Sequence, residues 1–310
     1  MTKKSKASEN GYTPRAPDLR KGRYSDGNPL DQVKYLECKL ILKGDRFTSE
    51  SNFDDFGKIV KRAAEAADVG YSRKFFKDAS PQIREVLFFD TADFKLYNNA
   101  FILRRRVNYE NGFAVSDPEI VFKYRHPDMQ KAADVDVRPK IFGDYKIKFK
   151  AEALPLKDQI GSYRLLFSHN VEFPLSAVHE ANRASGATLL RVLPALKMLK
   201  LSRTESVALV NTTAVEEVLK DIAMLDFGKG IEAKANVAVW RTRGDQKQLV
   251  GEFAYQIKVD KRDDLHRIAR RRCEQFFINL QYAAQEWLAL GTTKTGAVYR
   301  LKGNPPNAHE

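Results

Sequence analysis

"YLECKLIL", residues Tyr35 to Leu42, decides the fold. Side chains alternate across a strand, so Tyr35, Glu37 and Lys39 share one face while Leu36, Cys38 and Leu40 share the other. The apolar face requires a cover. The charged face is either an ordinary wet surface or part of an enclosed interior, and one strand alone does not choose between them.

The same alternation recurs along the chain. In "FILRRRV" Arg104 and Arg106 lie opposite Leu103 and Arg105, and in "IVFKYRH" Lys123 and Arg125 lie opposite Phe122 and Tyr124. In "DVDVRP" Asp134, Asp136 and Arg138 alternate with Val135 and Val137, and in "YKIKFKAE" Lys146, Lys148, Lys150 and Glu152 alternate with Ile147 and Phe149. Two late runs repeat it with Glu232, Lys234 and Asn236, then with Glu252, Gln256 and Lys258. A sheet with so many cations on one face forms a basic channel if it curls with that face inward, and a solvated surface if that face stays outward. Several strands lie too close together for crossover helices, which favours antiparallel pairing.

The fold expected is α+β: an antiparallel β-barrel or tunnel of about eight strands with helices packed outside. One helix is predicted in "SNFDDFGKIVKRAAEAADVG", where Phe53, Phe56, Val60, Ala64 and Ala67 form a stripe. Another is predicted in "DDLHRIARRRCEQFFINLQYAAQEWLAL", with Cys273, Phe276, Phe277 and Leu280 on its apolar side. Residues 174–195 read as a helix and "LKMLKLSRTESVALV" as a strand. Thr213 and Glu216 in "NTTAVEEVLKDIAML" have capping-box spacing, which predicts a short helix or turn. The divisions expected are a disordered basic lead over 1–30, a tunnel domain over 31–292 and a flexible tail over 293–310.

The formal net charge of +13 favours a polyanionic partner such as a phosphate chain, nucleic acid or an anionic surface. Cys38 and Cys273 suggest no disulfide framework, which points to a reducing, cytoplasmic setting. No run is apolar enough to span a membrane, and the lysines near the N-terminus precede no apolar signal core. The chain carries no Walker-type phosphate loop, dinucleotide fingerprint or His-Glu-x-x-His helix. Arg267, Arg270 and Arg271 in "RIARRRC" read as a solvated helix face, with nucleic-acid contact as the alternative.

"LECKLIL", "LFFDTADFKLYNNAFILRRR", "IVFKYR" and the late "VGEFAYQIK" together resemble the CYTH superfamily, the triphosphate tunnel metalloenzymes. The likeness spans roughly residues 33–285 as an order of elements, with motif-level similarity confined to the first hundred residues. It implies an eight-stranded tunnel in which inward Lys and Arg bind a triphosphate or polyphosphate chain while glutamates hold Mg²⁺ or Mn²⁺. Carried onto this chain, it makes Glu37 and Lys39 catalytic and Glu37 and Glu252 metal ligands. Lys39, Arg104, Arg106, Lys123, Arg125 and either Lys200 or Arg203 become substrate-binding residues; their spacing of three lets only one of the last two point inward.

Two departures stand out. Tyr35 takes the place of the first glutamate of the Glu-x-Glu-x-Lys signature, and a phenol is a poor ligand for Mg²⁺. Glu252 is followed by Ala254 and Gln256 where a second glutamate is usual, so Asp134, Asp136 or Glu232 would have to complete a cage. The first reading is therefore a metal-dependent triphosphatase or polyphosphatase. The alternative is a phosphate-binding module without turnover, and the third is a nucleic-acid-binding protein.

Overall fold

The computed structural model describes residues 32–77, 79–179, 186–201, 205–258 and 266–303. Nine strands form the barrel: β1 Tyr35–Leu42, β2 Gln82–Asp90, β3 Phe101–Glu110, β4 Glu119–His126, β5 Lys146–Pro155, β6 Tyr163–Pro174, β7 Val215–Asp226, β8 Glu232–Thr242 and β9 Gln248–Lys258. Going round, the order is β1, β9, β8, β7, β2, β3, β4, β6, β5 and back to β1. Every adjacent pair is antiparallel except β1 and β5, where Tyr35 lies beside Lys150 and Glu37 beside Glu152 in parallel register. The barrel is thus closed and mixed, with nine strands where about eight antiparallel ones were expected.

The extra strand is β7. Its local capping-box signal loses because Val215, Glu217 and Leu219 pair with β8 on one side and β2 on the other, and pairing on both edges outweighs a weak local preference. The reverse happens at "ADVDVRP". Asp128 caps a short helix over Met129–Asp134 by accepting from the amides of Gln130 and Lys131, and Asp136 turns back to pair with Arg138. Asp134 accepts from Gln130 on that same helix, and Glu232 is exposed at a strand end. None of these three acids enters a tunnel cage.

Helices α1 (Ser51–Glu65) and α2 (Arg267–Ala283) cover the outer face of β1, β8 and β9. Phe53, Phe56, Val60, Cys273, Phe276 and Leu280 pack there against Leu40, Leu42, Ala235, Val237, Phe253 and Tyr255. Each large apolar side chain so buried stabilises the fold by roughly 1.5–3 kcal/mol. At Gly251 an added Cβ would meet the Phe47 ring at 2.7 Å, so only glycine lets that ring lie against β9 beside Glu252. The outer faces of β3, β4 and β6 are covered by Val135, Val137, Leu175, Leu189 and Leu193.

Inside, one end of the barrel is apolar. Ile41, Val86, Phe88, Ile102, Val215, Trp240 and Val250 cluster there with Tyr97, Val298 and Tyr299. The last two belong to a third helix, α3 (Lys294–Tyr299), in the segment expected to be a flexible tail. In the described part of that segment Val298 and Tyr299 are buried, Tyr299 stacks on Tyr97 at 4.3 Å and donates to Asp90, and Asn211 donates to the carbonyls of Val298 and Tyr299, while 304–310 lie outside the described residues. Among the described residues no helix is long and apolar enough to cross a membrane.

Candidate anion-binding tunnel

The remainder of the interior is charged. Register places Tyr35, Glu37 and Lys39 of β1 on the same wall as Ala254, Gln256 and Lys258 of β9, and Glu152 and Lys150 of β5 on the other side. Arg104 and Arg106 of β3 lie beside Val121 and Glu119 of β4, whose next inward residues are Lys123 and Arg125. The pattern read from the sequence therefore turns inward, as the resemblance implies.

Glu152 is the hub at one level. Its side chain is fully buried, and it gathers Lys123 at 2.5 Å, Arg125 at 3.1 Å and Lys39 at 3.4 Å while accepting from Ser168 at 2.6 Å. Burial alone would raise its carboxyl, but Arg125, Lys123 and Lys39 hold it well below the usual range. Burial and the neighbouring Arg125 instead push the Lys123 ammonium well below its ordinary value. Glu37 pairs with Lys39 at 2.8 Å and Lys150 at 3.3 Å. Against its burial, those two lysines pull its carboxyl down to about 2.

A second level lies across β2, β3, β6 and β7. Glu172 holds Lys148 at 2.7 Å and Arg106 at 3.5 Å, and Arg106 also pairs with Glu119. Glu217 takes Arg84 at 2.7 Å and accepts from the Trp240 indole at 2.8 Å. Between them stands Arg104. It has no ion-pair partner among the described residues, and its Nε is buried with no hydrogen-bond acceptor. Burial, with Arg106 beside it, lowers its pKa to about 10. Within this network Lys39, Arg84, Arg104, Arg106, Lys123, Arg125, Lys148, Lys150 and Lys294 face Glu37, Glu119, Glu152, Glu172, Glu217 and Glu252, an excess of three positive charges. Beside Arg125 a cavity of about 200 Å³ opens, lined also by Tyr97, Ile102, His126 and Leu166.

The predicted metal pair does not come together. Glu37 lies opposite Gln256 whereas Glu252 lies opposite Ile41, an offset of four residues or about 13 Å along the strands. Glu252 instead meets Lys294 at 2.6 Å. No group of three or more His, Cys, Asp or Glu converges among the described residues. With Tyr35 in place of a carboxylate and each inward glutamate already paired to a cation, the donor set does not fit a divalent ion held jointly by Glu37 and Glu252.

Lys200 caps a 3-10 turn outside the barrel strands, and Arg203 lies outside the described residues. Sequence reading missed Arg84, Glu217 and Lys294 altogether and gave Glu152 no role. The alternation in "YKIKFKAE" could have singled out Glu152 as the lone acid on a cationic face.

The depressed Glu37 carboxyl gives a pH prediction. Its folded pKa of about 2 lies below the ordinary 4.5, so its ionised form stabilises the fold by of order 3 kcal/mol. That contribution is complete above about pH 4.5 and is lost as pH falls toward 2. Urea unfolding of the wild type and Glu37→Gln should show a gap near neutrality that closes in acid; a gap independent of pH refutes the assignment.

No family model matches the chain. No curated protein matches it either. Among solved structures the chain is similar to HpAC1 of Hippeastrum, an adenylyl cyclase homologue with a dominant triphosphatase activity, at 14% identity and a TM-score of 0.41 over 90% of this chain and 100% of that one. It is similar to an adenylate cyclase homologue of Bacillus halodurans at 11% identity and a TM-score of 0.38, over 85% of this chain and 95% of that one. A third likeness is to the Pct1 RNA triphosphatase of S. pombe at 9% identity and a TM-score of 0.24, covering 84% and 76%. Likeness at this level says nothing about activity.

Proposed function

We propose that this protein binds a condensed-phosphate chain inside the barrel, in the form of tripolyphosphate, a nucleotide triphosphate moiety or polyphosphate. The observation that carries the reading is Arg104, a half-buried guanidinium that feels Glu172 and Glu217 but forms a direct ion pair with neither, its Nε buried without an acceptor. Burying a cation without a partner is costly, and paired N–H donors match phosphate oxygens. Arg106, Lys123, Arg125 and Lys39 extend the positive lining on either side, each shared with a glutamate that a phosphate chain would compete against.

Binding is favoured over hydrolysis because Glu37 and Glu252, the pair that would have to share a metal, sit at different levels on different lysines. The nucleic-acid reading calls for an outer basic face, whereas Lys39, Arg104, Arg106, Lys123 and Arg125 lie on the faces that turn inward.

The test is thermal unfolding with tripolyphosphate under chelation. The melting temperature should rise with ligand concentration in the presence of EDTA, as mass action requires of a ligand that binds only the folded state. An unchanged melting curve rejects the reading. Phosphate release with added Mn²⁺ would show instead that the hydrolytic alternative holds.

A further inference from the structure

The chain has two cysteines, and the fold brings them together. Cys38 stands on the outer face of β1 and Cys273 on the buried side of α2, and the two thiols hydrogen-bond one another at 3% and 4% exposure. Tyr255 joins them: it lies opposite Cys38 on β9 and sets its hydroxyl 3.3 Å from Cys273 Sγ. The two sulfurs are not alike. Burial pushes the Cys38 thiol well up, whereas hydrogen bonds from Cys38 and Tyr255 pull the Cys273 thiol down against its own burial. A thiolate is the form that attacks an oxidant, so Cys273 is the nucleophile of the pair and Cys38 stands where a resolving thiol is needed.

Their position gives a bond between them a consequence. Cys38 ends the parallel join of β1 with β5, which runs from Tyr35 to Cys38. Helix α2 lies across that join: on its far side Glu274 accepts from the Tyr163 hydroxyl at 2.9 Å and Gln281 from the Gly161 amide at 3.0 Å, at and just before the start of β6. We propose that Cys38 and Cys273 are a peroxide-sensitive staple: oxidation joins them in a disulfide that fixes α2 to β1 and holds the join between β1 and β5 shut. The Cys273 thiolate attacks one oxygen of hydrogen peroxide, the O–O bond breaks, and the departing hydroxide takes up the proton that the thiol lost, leaving a sulfenic acid and water. The Cys38 sulfur then attacks the Cys273 sulfur, its proton leaves with the hydroxyl as a second water, and the S–S bond closes. Two thiols are oxidised and one peroxide is reduced. In a reducing compartment such a bond is transient, made under peroxide and broken by small thiols. The inference is independent of the phosphate-binding reading, because neither its chemistry nor its readout involves phosphate.

The test treats the folded full chain with hydrogen peroxide, then reads intact mass, free thiols after denaturation and the melting temperature without reductant. The wild type should lose two hydrogens and both thiols while staying monomeric, melt higher because the cross-link constrains the unfolded chain, and return to its starting values with dithiothreitol. Cys38→Ser should stop at a Cys273 sulfenic acid that dimedone traps, whereas Cys273→Ser should keep its Cys38 thiol under the same treatment. Two free thiols in the treated wild type, a disulfide between chains, an unchanged melting temperature or equal reaction of the two variants overturns the proposal. Should a serine variant fail to fold, the wild type decides alone: peptide mapping that finds Cys38 joined to Cys273 supports the staple, and any other product refutes it.

Discussion

Glu152→Gln is expected to destabilise the fold by about 3–5 kcal/mol, because removing one partner of a buried ion pair leaves the others uncompensated. The amide keeps the shape and the hydrogen bond to Ser168, but Lys39, Lys123 and Arg125 then crowd together without an anion. Urea unfolding measures the loss. The variant should also respond more strongly to tripolyphosphate than the wild type does, since the ligand supplies the missing negative charge and no longer competes with Glu152. A variant that matches the wild type in both respects would show that Glu152 does not organise these cations.

Arg104→Met is expected to have the opposite signature. Its guanidinium makes no direct ion pair among the described residues and pays for burial with Arg106 beside it, so replacing it with an apolar side chain of similar length should leave the ligand-free protein about 1 kcal/mol more stable. Tripolyphosphate binding should weaken by about 2–3 kcal/mol, roughly thirty- to a hundred-and-fiftyfold, the worth of charge-assisted hydrogen bonds. Calorimetric titration in EDTA beside a melting curve reads both quantities. Loss of stability with unchanged affinity would mean that Arg104 is a structural cation, and phosphate would then have to engage the barrel elsewhere.

The two variants act on one network in opposite directions, and the reason bears on what the sequence could reveal. Which residues share a face was legible from alternation, because the period of two is a property of each strand by itself. Glu37 with Lys39, Arg104 with Arg106 and Lys123 with Arg125 were grouped in this way, but only the closure of the sheet decides that these faces turn inward. Which of them meet was not legible, because that depends on register between segments far apart in sequence. Lys123 reaches Glu152 across 29 residues and Lys294 reaches Glu217 across 77. Glu37 and Glu252 look like partners when the strands are read separately, and become strangers once Glu37 is seen opposite Gln256.

Two further misses have local causes. The strand β7 was hidden behind a capping-box signal, so Glu217 was never considered as a lining residue. The helix α3 carries only six residues, and its burial is decided by Tyr97 and Asp90, about two hundred positions earlier. The Asp in "FFDT" belongs to the same lesson. It accepts from the amides of Thr91, Leu96 and Tyr97 and from the Tyr299 hydroxyl, so it clamps a loop and the C-terminal helix and lines no part of the charged channel.

The circular strand order has a consequence for biosynthesis. Residues 215–258 supply the three staves that stand between β1 and β2, so until they leave the ribosome both of those strands present a bare edge. A nascent chain with two unpaired edges and an unfinished core is prone to sticking to its neighbours. Translation that stalls before residue 258 should therefore yield a product that chaperones hold or proteases clear, however well its earlier strands have paired.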